Sequence, residues 1–405
     1  MKILLATFWV IPHVGGVWNY MVQLKESLEK MGHNVDLLGY GEDKAYIHLV
    51  NKKKKISIDA LHPAKSRTDH QQNNANERVA QTERHMNFYE AAAASFGLSD
   101  YDLIHTQDVL STAAMSRIKP KHVPLVATLH GSVALKTFYE LEAPHQSSST
   151  STAKEYFKNL EHFGATCADI TIVANHWLKN VLIHEFDVPA EQIQVHHYGY
   201  NCTHFVKQLN TKTSLRTKKK VIIYTGRLVM LKGVDFLLSA LGRLKQQRAE
   251  NDWVCWIVGD GDMSKQLTAQ AKKLGLINDV IFFGTRQDVP YLLSQADIHV
   301  SPSLLDNQPL SVIEAQLAGK AVVVSRSGGL PEMVDDGVTG IIVPEHDPRA
   351  LFKTLDLLLD NDRLREKLGT NASKWGRSHW SQKCAVQNLV RVYEQVKCKE
   401  DRIKQ

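Results

Sequence analysis

ADIHVSPSLLDNQPLSVIEAQLAG, residues 296–319, brings a strand, a tight acidic loop and a helix together within one short stretch. Ile298 and Val300 alternate with polar neighbours as a strand requires, Pro302 ends it, and Leu310, Val312, Ile313, Leu317 and Ala318 recur at roughly helical spacing. Pro309 suits the first turn of that helix, where its missing N–H costs nothing and its fixed φ is already helical. Asp306 then lies in the loop above the helix start, and Glu314 a little over one turn inside. Unpaired backbone N–H groups and the positive end of the helix dipole attract phosphate, while carboxylates accept hydrogen bonds from sugar hydroxyls. The combination points to a sugar phosphate. A local reading competes with it, in which Asp306 only caps the helix and Glu314 faces solvent.

Outward from this stretch the second half repeats one rhythm. Strand candidates VIIYTG (221–226), WVCWIVG (253–259), VIFFG (280–284), AVVVS (321–325) and GIIV (340–343) are separated by amphipathic stretches. A charged helix is expected over 349–368 and another over 382–397. The first half reads the same way, with KILLATF (2–8), VDLLGY (35–40), DLIHTQ (102–107), PLVATLH (124–130) and DITIVAN (169–175). A helix is predicted over 19–31, ended by Gly32. Strands alternating with helices mean βαβ units and a parallel sheet covered on both faces. Residues 56–100 break the rhythm and read as an insertion, polar through Asn76 and helical over 77–96. Residues 146–152, QSSSTST, read as a mobile loop, and the unpatterned KQLNTKTSLRTKKK after Phe205 separates the halves.

The 405 residues suffice for two domains, and no apolar run approaches the roughly 20 residues of a membrane span. The opening KILLATFWV runs into Pro12 and a glycine pair, so it is read as a buried strand and not a secretory signal. Cys167, Cys202, Cys255, Cys384 and Cys398 are odd in number and lack metal-ligand spacing, which fits a reducing cytoplasm. A net charge of +6 without interleaved aromatic residues argues against a nucleic-acid surface. Two lysine runs, 52–55 and 218–220, could touch an anionic membrane or acceptor, or else be a solvated loop and a solvated linker.

In an open parallel sheet, ligands sit beyond the carboxyl ends of the strands, and the glycine and polar clusters fall there. Gly15 and Gly16 follow the first strand and precede a helix; close ligand approach or a simple turn would explain them. His130 ends PLVATLH, where an imidazole could bond a hydroxyl or carry partial positive charge, although 19 histidines make chance placement a rival. TGRLVMLKG, residues 225–233, puts Gly226, Arg227, Lys232 and Gly233 in one loop. Arginine as a fork and lysine as a point charge could clamp a diphosphate there, or both could simply be solvated. Gly259 in VGDG and Thr285 in FGT mark strand ends open enough for a flat base, and SGGLPE (327–332) is a glycine loop whose amides could face phosphate.

Taken together, these residues resemble the family four glycosyltransferases of the GT-B fold, retaining enzymes that use nucleotide sugars. The resemblance covers nearly the whole chain. It rests on the glycine pair and the helix ending in GHNV (32–35), on DLIHTQD, His130 and ADITIVA in the first half, and on GRLVMLKG, VGDGD, ADIHVSPS, the acid-to-glutamate spacing from Asp306 to Glu314, SGGLPE and GVTG (337–340) in the second. It implies an α/β architecture of two facing Rossmann-like domains with a cleft between them, 1–206 on the acceptor side and 219–378 binding the donor, with a last helix, 379–405, returning to the first. Arg227 and Lys232 would bind the donor diphosphate, Glu314 its ribose and Asp306 the transferred sugar. His130 would lie close to the reacting centre, and the amides of Leu310 and Ser311 would face the donor. Gly226, Gly259 and Thr285 would complete the donor side, Gly16 would lie near the donor phosphate or the acceptor, and Gly15, Gly16 and Asn19 would meet the acceptor.

By the same resemblance the enzyme transfers sugar with retention from a nucleotide-sugar donor, most simply a UDP-sugar, to a hydroxyl acceptor in cell-envelope or other surface glycans. No cofactor is implied, and no metal site either, because Arg227 and Lys232 can offset the leaving-group charge and no DxD-like cluster is placed for an ion. Three positions depart from the family. Asp306 stands where glutamate is common, Pro309 where glycine is common, and HYGYN (197–201) replaces the usual run at the end of the first domain. A nucleotide-sugar-binding protein without turnover and a nucleotide-sugar epimerase are the rival functions on the same fold.

Overall fold

The computed structural model describes residues 1–13, 15–58, 75–141, 150–209, 217–248 and 252–403. The chain divides into two compact units, Met1–His197 with Lys383–Gln405, and Tyr198–Gln382.

The first unit is built on strands β1 (Lys2–Val10), β2 (Asn34–Tyr40), β3 (Tyr46–Leu49), β4 (Lys54–Ser57), β5 (Leu103–Thr106), β6 (Leu125–Leu129), β7 (Ile170–Val173) and β8 (Ile193–Val195). Their order is β4-β3-β2-β1-β5-β6-β7-β8, parallel from β2 to β8, with β3 and β4 added antiparallel at one edge. Strand β1 shows why the apolar runs are continuous. Leu4, Ala6 and Phe8 enter one core cluster while Ile3 and Leu5 enter the other, so both faces of the sheet are buried. The second cluster is closed by the helix Gln382–Ile403, whose Val386, Leu389, Val390, Tyr393 and Val396 form a stripe at helical spacing against Ile3, Leu5, Met21 and Leu24.

The second unit carries β9 (Lys220–Thr225), β10 (Trp253–Val258), β11 (Val280–Gly284), β12 (Ile298–Ser301), β13 (Ala321–Ser325) and β14 (Ile341–Val343), all parallel, in the order β11-β10-β9-β12-β13-β14. Here too a single strand serves two cores, Ile222 and Tyr224 on one side and Val221 and Ile223 on the other. The order reverses between β9 and β12, and between β1 and β5 in the first unit. These are the switch points beyond whose strand ends loops diverge and leave room for a ligand.

Several local expectations are corrected. The helix predicted over 349–368 is two, Pro348–Asp360 and Asp362–His379, because Asn361 leaves helical geometry and its side chain caps the second through Leu364 N. Pro309 is the N-cap and not part of the first turn: its ψ of 128° is extended, and Leu310 opens the helix. Gly16, not Asn19, begins the first helix, which runs to Lys30. Gly32 follows it with φ +85°, its amide and that of His33 closing on Glu29 and Leu28 carbonyls. The insertion helix is Ala75–Ala94; its polar approach, residues 59–74, lies outside the described residues. Of the loop expected at 146–152, residues 150–152 are the start of a helix, Thr150–Thr166, and the others are outside the described residues. Lys54 and Lys55 belong to the edge strand β4 and not to a loop, where their charge guards an open edge against pairing. Lys220 donates to Leu359 O at 2.6 Å and pairs with Asp362 at 3.4 Å.

Candidate functional site

Three loops meet beyond the carboxyl ends of β9, β12 and β13. Gly233 has φ +62°, and a Cβ there would fall 2.1 Å from Pro302 O. Gly328 has φ +57°, and a Cβ there would fall 2.0 Å from Asp306 O. Only glycine satisfies both the left-handed backbone and the close approach, so these two residues let the three loops touch. Backbone bonds complete the join: Leu304 N to Leu231 O at 2.8 Å, and Gly329 N to Asp306 O at 2.9 Å. Gly233→Ala is expected to lower unfolding free energy by roughly 1–3 kcal/mol, the range for enforced backbone strain, and urea unfolding measures it.

The side chains carried by these loops converge. Lys232 pairs with Asp306 Oδ2, which also accepts from Ser303 Oγ at 3.2 Å, and both members of the pair are largely covered. Arg227 is exposed in the same loop, whose turn is held by Tyr224 Oη donating to Arg227 O at 2.8 Å. Leu310 and Ser311 begin the helix Leu310–Leu317, and no side chain caps it, while the next amide, Val312 N, turns back to Pro309 O at 3.2 Å. Glu314, half-buried in that helix, accepts from Tyr200 Oη at 2.7 Å. Burial pushes its carboxyl up to about 7, against the opposing effect of the Tyr200 hydrogen bond.

The structure thus gathers Gly226, Arg227, Lys232, Asp306, Leu310, Ser311 and Glu314 around one switch point. Gly259 and Thr285 stand one and two strands away, where Gly259 N donates to Gly284 O at 2.8 Å and Thr285 is exposed. The SGGLPE loop behaves differently from expectation, since its Gly329 and Leu330 amides bond to Asp306 O and Ser327 O. Tyr200 is the residue that sequence reasoning missed. Its only signal was the unusual HYGYN run, in which Tyr198 N also bonds Gln308 Oε1 at 3.2 Å and Asn307 Nδ2 bonds Tyr198 Oη at 3.2 Å.

In the first unit, Gly15, Gly16 and Asn19 open the helix that follows β1, and His130 follows β6. His130 Nε2 lies 3.0 Å from Gln107 Oε1, and its ring meets the Tyr20 ring edge-on at 4.9 Å. Burial holds the imidazole pKa down to about 3, so it is neutral at physiological pH. A neutral imidazole can donate or accept a hydrogen bond but carries no charge. Glu161 accepts from Ala134 N at 2.9 Å and fixes the helix start just beyond this histidine, with burial pushing its carboxyl up to about 7. Among the described residues, no group of three or more His, Cys, Asp or Glu side chains could hold a metal ion.

The family model for "Glycosyltransferase Family 4" matches residues 14–204, and that for "Glycosyl transferases group 1" matches residues 206–375. The chain belongs to the family four glycosyltransferases. Within the family it is 26% identical over 408 residues to an uncharacterized glycosyltransferase of Methanocaldococcus jannaschii, covering 97% of this chain and 98% of the relative. It is 29% identical over 308 residues to a D-inositol 3-phosphate glycosyltransferase of Corynebacterium diphtheriae, covering 72% and 70%. Among solved structures, the sucrose-phosphate synthase of Thermosynechococcus elongatus superposes with TM-score 0.76 at 20% identity, over 98% of both chains. Anabaena HepE in complex with UDP-glucose superposes with TM-score 0.71 at 19% identity, over 98% of this chain and 100% of that one. These neighbours establish the GT-B fold.

Proposed function

We propose that this glycosyltransferase moves a sugar from a UDP-sugar to a hydroxyl acceptor with retention of anomeric configuration, in the assembly of a cell-envelope or other surface glycan, on the cytoplasmic side. The observation that carries the reading is the cluster at the β9/β12 switch point. Cations from one loop, a carboxylate from the next and an uncapped helix start converge there, with Glu314 one turn further on. Arg227, Lys232 and the amides of Leu310 and Ser311 take the diphosphate, Glu314 the ribose and Asp306 the transferred sugar. Gly226, Gly259 and Thr285 border the nucleotide. In the first unit, Gly15, Gly16 and Asn19 serve the acceptor, while neutral His130 bonds a sugar hydroxyl.

In the reaction the bond from the anomeric carbon to the diphosphate oxygen breaks, and the acceptor oxygen bonds to that carbon on the same face. The acceptor proton passes to the departing phosphate oxygen. Negative charge grows on the nucleoside diphosphate as it leaves, and fixed cations and amides stabilise that state more than the ground state. With this charge compensation built from side chains, turnover is expected to persist in excess EDTA.

Thermal-shift screening against nucleotides and nucleotide sugars selects the donor, since a ligand that binds only the folded form raises apparent stability. NMR of the product formed from that donor then gives the anomeric configuration. UDP release in step with an α-linked product from an α-configured donor is the expected result. Donor binding without transfer or hydrolysis would point to a binding protein, an epimerised donor without net UDP release to an epimerase, and an inverted product would overturn retention.

A further inference from the structure

His130 sits at the end of a buried polar array that the proposed chemistry does not itself require. His105 on β5 is fully buried, with Nδ1 2.7 Å from Tyr393 Oη and Nε2 2.7 Å from Thr128 Oγ1. Thr128 on β6 is also buried, two residues before His130, and its hydroxyl lies beside the Tyr20 phenol. Tyr20 lays its ring against the edge of His130 at 4.9 Å and 70°. From the other side, Gln107 Oε1 meets His130 Nε2 at 3.0 Å, and Gln107 Nε2 reaches back to His105 O at 3.4 Å. The contacts therefore close a circuit through His105, Thr128, Tyr20, His130 and Gln107, entered from the helix Gln382–Ile403 at Tyr393.

This circuit costs free energy to build. Fully buried imidazole and hydroxyl groups are tolerated only when every member is satisfied, and apolar residues of the same shape would fill β5 and β6 at less risk. A neutral imidazole carries one donor and one acceptor, so Tyr393 and Thr128 must play opposite parts across His105, and the array has a direction. Burial drives His105 down to about 3, with a smaller contribution from His130, which keeps both rings neutral over the working pH range.

We propose that Thr128 is the positioning residue for His130, the hub through which Tyr393 and His105 fix the plane of the imidazole presented to the sugar, while Gln107 Oε1 accepts from Nε2–H and sets its tautomer. Thr128 touches no substrate and acts through Tyr20 and the shared strand end. The proposal rests on the reading of His130 given above and deepens it by placing part of the sugar-side geometry under the control of the carboxyl-terminal helix.

The test compares Thr128→Val, which keeps the shape and removes the hydroxyl, with Thr128→Ser, which restores it, and with Tyr393→Phe at the far end of the array. Steady-state kinetics is read beside the imidazole ¹⁵N shifts of histidine-labelled protein, with His130 assigned by loss of its signal in His130→Gln. Thr128→Val is expected to lower kcat by about 10- to 100-fold, the scale of a small misplacement of a reacting group. Its donor KM should stay nearly unchanged and the His130 ¹⁵N shifts should move; Thr128→Ser should recover most of kcat, and Tyr393→Phe should show a smaller loss of the same kind. Wild-type kcat in Thr128→Val, while His130→Gln is impaired, would overturn the positioning role and leave the transferase reading standing. If His130→Gln turns over normally, the sugar-side role of His130 fails instead, and unmoved ¹⁵N shifts in Thr128→Val would then sink the array on its own. Should Thr128→Val not fold, Tyr393→Phe decides: unchanged kcat and unchanged His130 shifts overturn the proposal.

Discussion

Lys232→Ala is expected to lower kcat/KM for the nucleotide-sugar donor by about 10²- to 10³-fold, the scale of removing one fixed electrostatic contact to a developing charge. The loss should fall mainly on kcat, because the ammonium is worth most when the diphosphate carries its full leaving-group charge. The fold should survive. The loop holding Lys232 is tied by the Leu304 N to Leu231 O bond and by the close contact of Gly233 with Pro302, neither of which uses the ammonium. Circular dichroism and a thermal melt check that separation, and steady-state kinetics checks the loss. Lys232→Ala leaves Asp306 without its cation, and Lys232→Arg should restore function only in part, because a planar fork cannot replace a point charge against the same carboxylate without moving the loop. Turnover at the wild-type rate in Lys232→Ala would remove the diphosphate clamp from the mechanism.

Glu314→Gln separates binding from stability in the opposite direction. A carboxylate that accepts from a ribose hydroxyl makes a charge-assisted bond, so the amide should raise the donor KM by about 10- to 100-fold. Without donor, the same change should leave the protein as stable or more stable above neutral pH. The Glu314 carboxyl is raised from 4.5 to about 7, so the folded form holds its proton more tightly than the unfolded form. Its stabilising contribution is therefore complete below about 4.5 and is lost as pH climbs through about 7, where a half-buried charge beside Tyr200 replaces a neutral acid. Glutamine carries no such pH dependence. Melts of both proteins from pH 5 to pH 8.5 should converge in acid more closely than the wild type matches itself across the range. A donor KM equal to wild type would refute the ribose assignment.

The fold was legible because the apolar runs are unambiguous. VIIYT and KILLATF bury both faces, and such strands leave no reading except a sheet covered on both sides. The donor-side cluster was legible for a related reason: glycine, lysine, acid and proline each restrict the backbone in their own way, and together they fix loops at strand ends. The short edge strands β3 and β4 were not legible, since YIHL and KKIS carry too few apolar residues to show a period. Residues 349–368 looked like one helix because Asn361 interrupts the pattern for a single residue, too briefly for periodicity to register. Tyr200, His105 and Thr128 stayed hidden for another reason. Their significance lies in partners 114, 288 and 23 positions away in the chain, and no local spacing reports such pairs.

The carboxyl-terminal helix has a bearing on how the molecule is made. Val386 to Val396 supply one wall of the core that holds β1, so the amino-terminal unit cannot finish its interior until residue 396 has been translated. Residues 198–382 have no such dependence and can close while still emerging from the ribosome. Of the two units, the one whose strands are made earlier is completed later, and nascent chains released before residue 396 should expose that unfinished wall to chaperones and proteases.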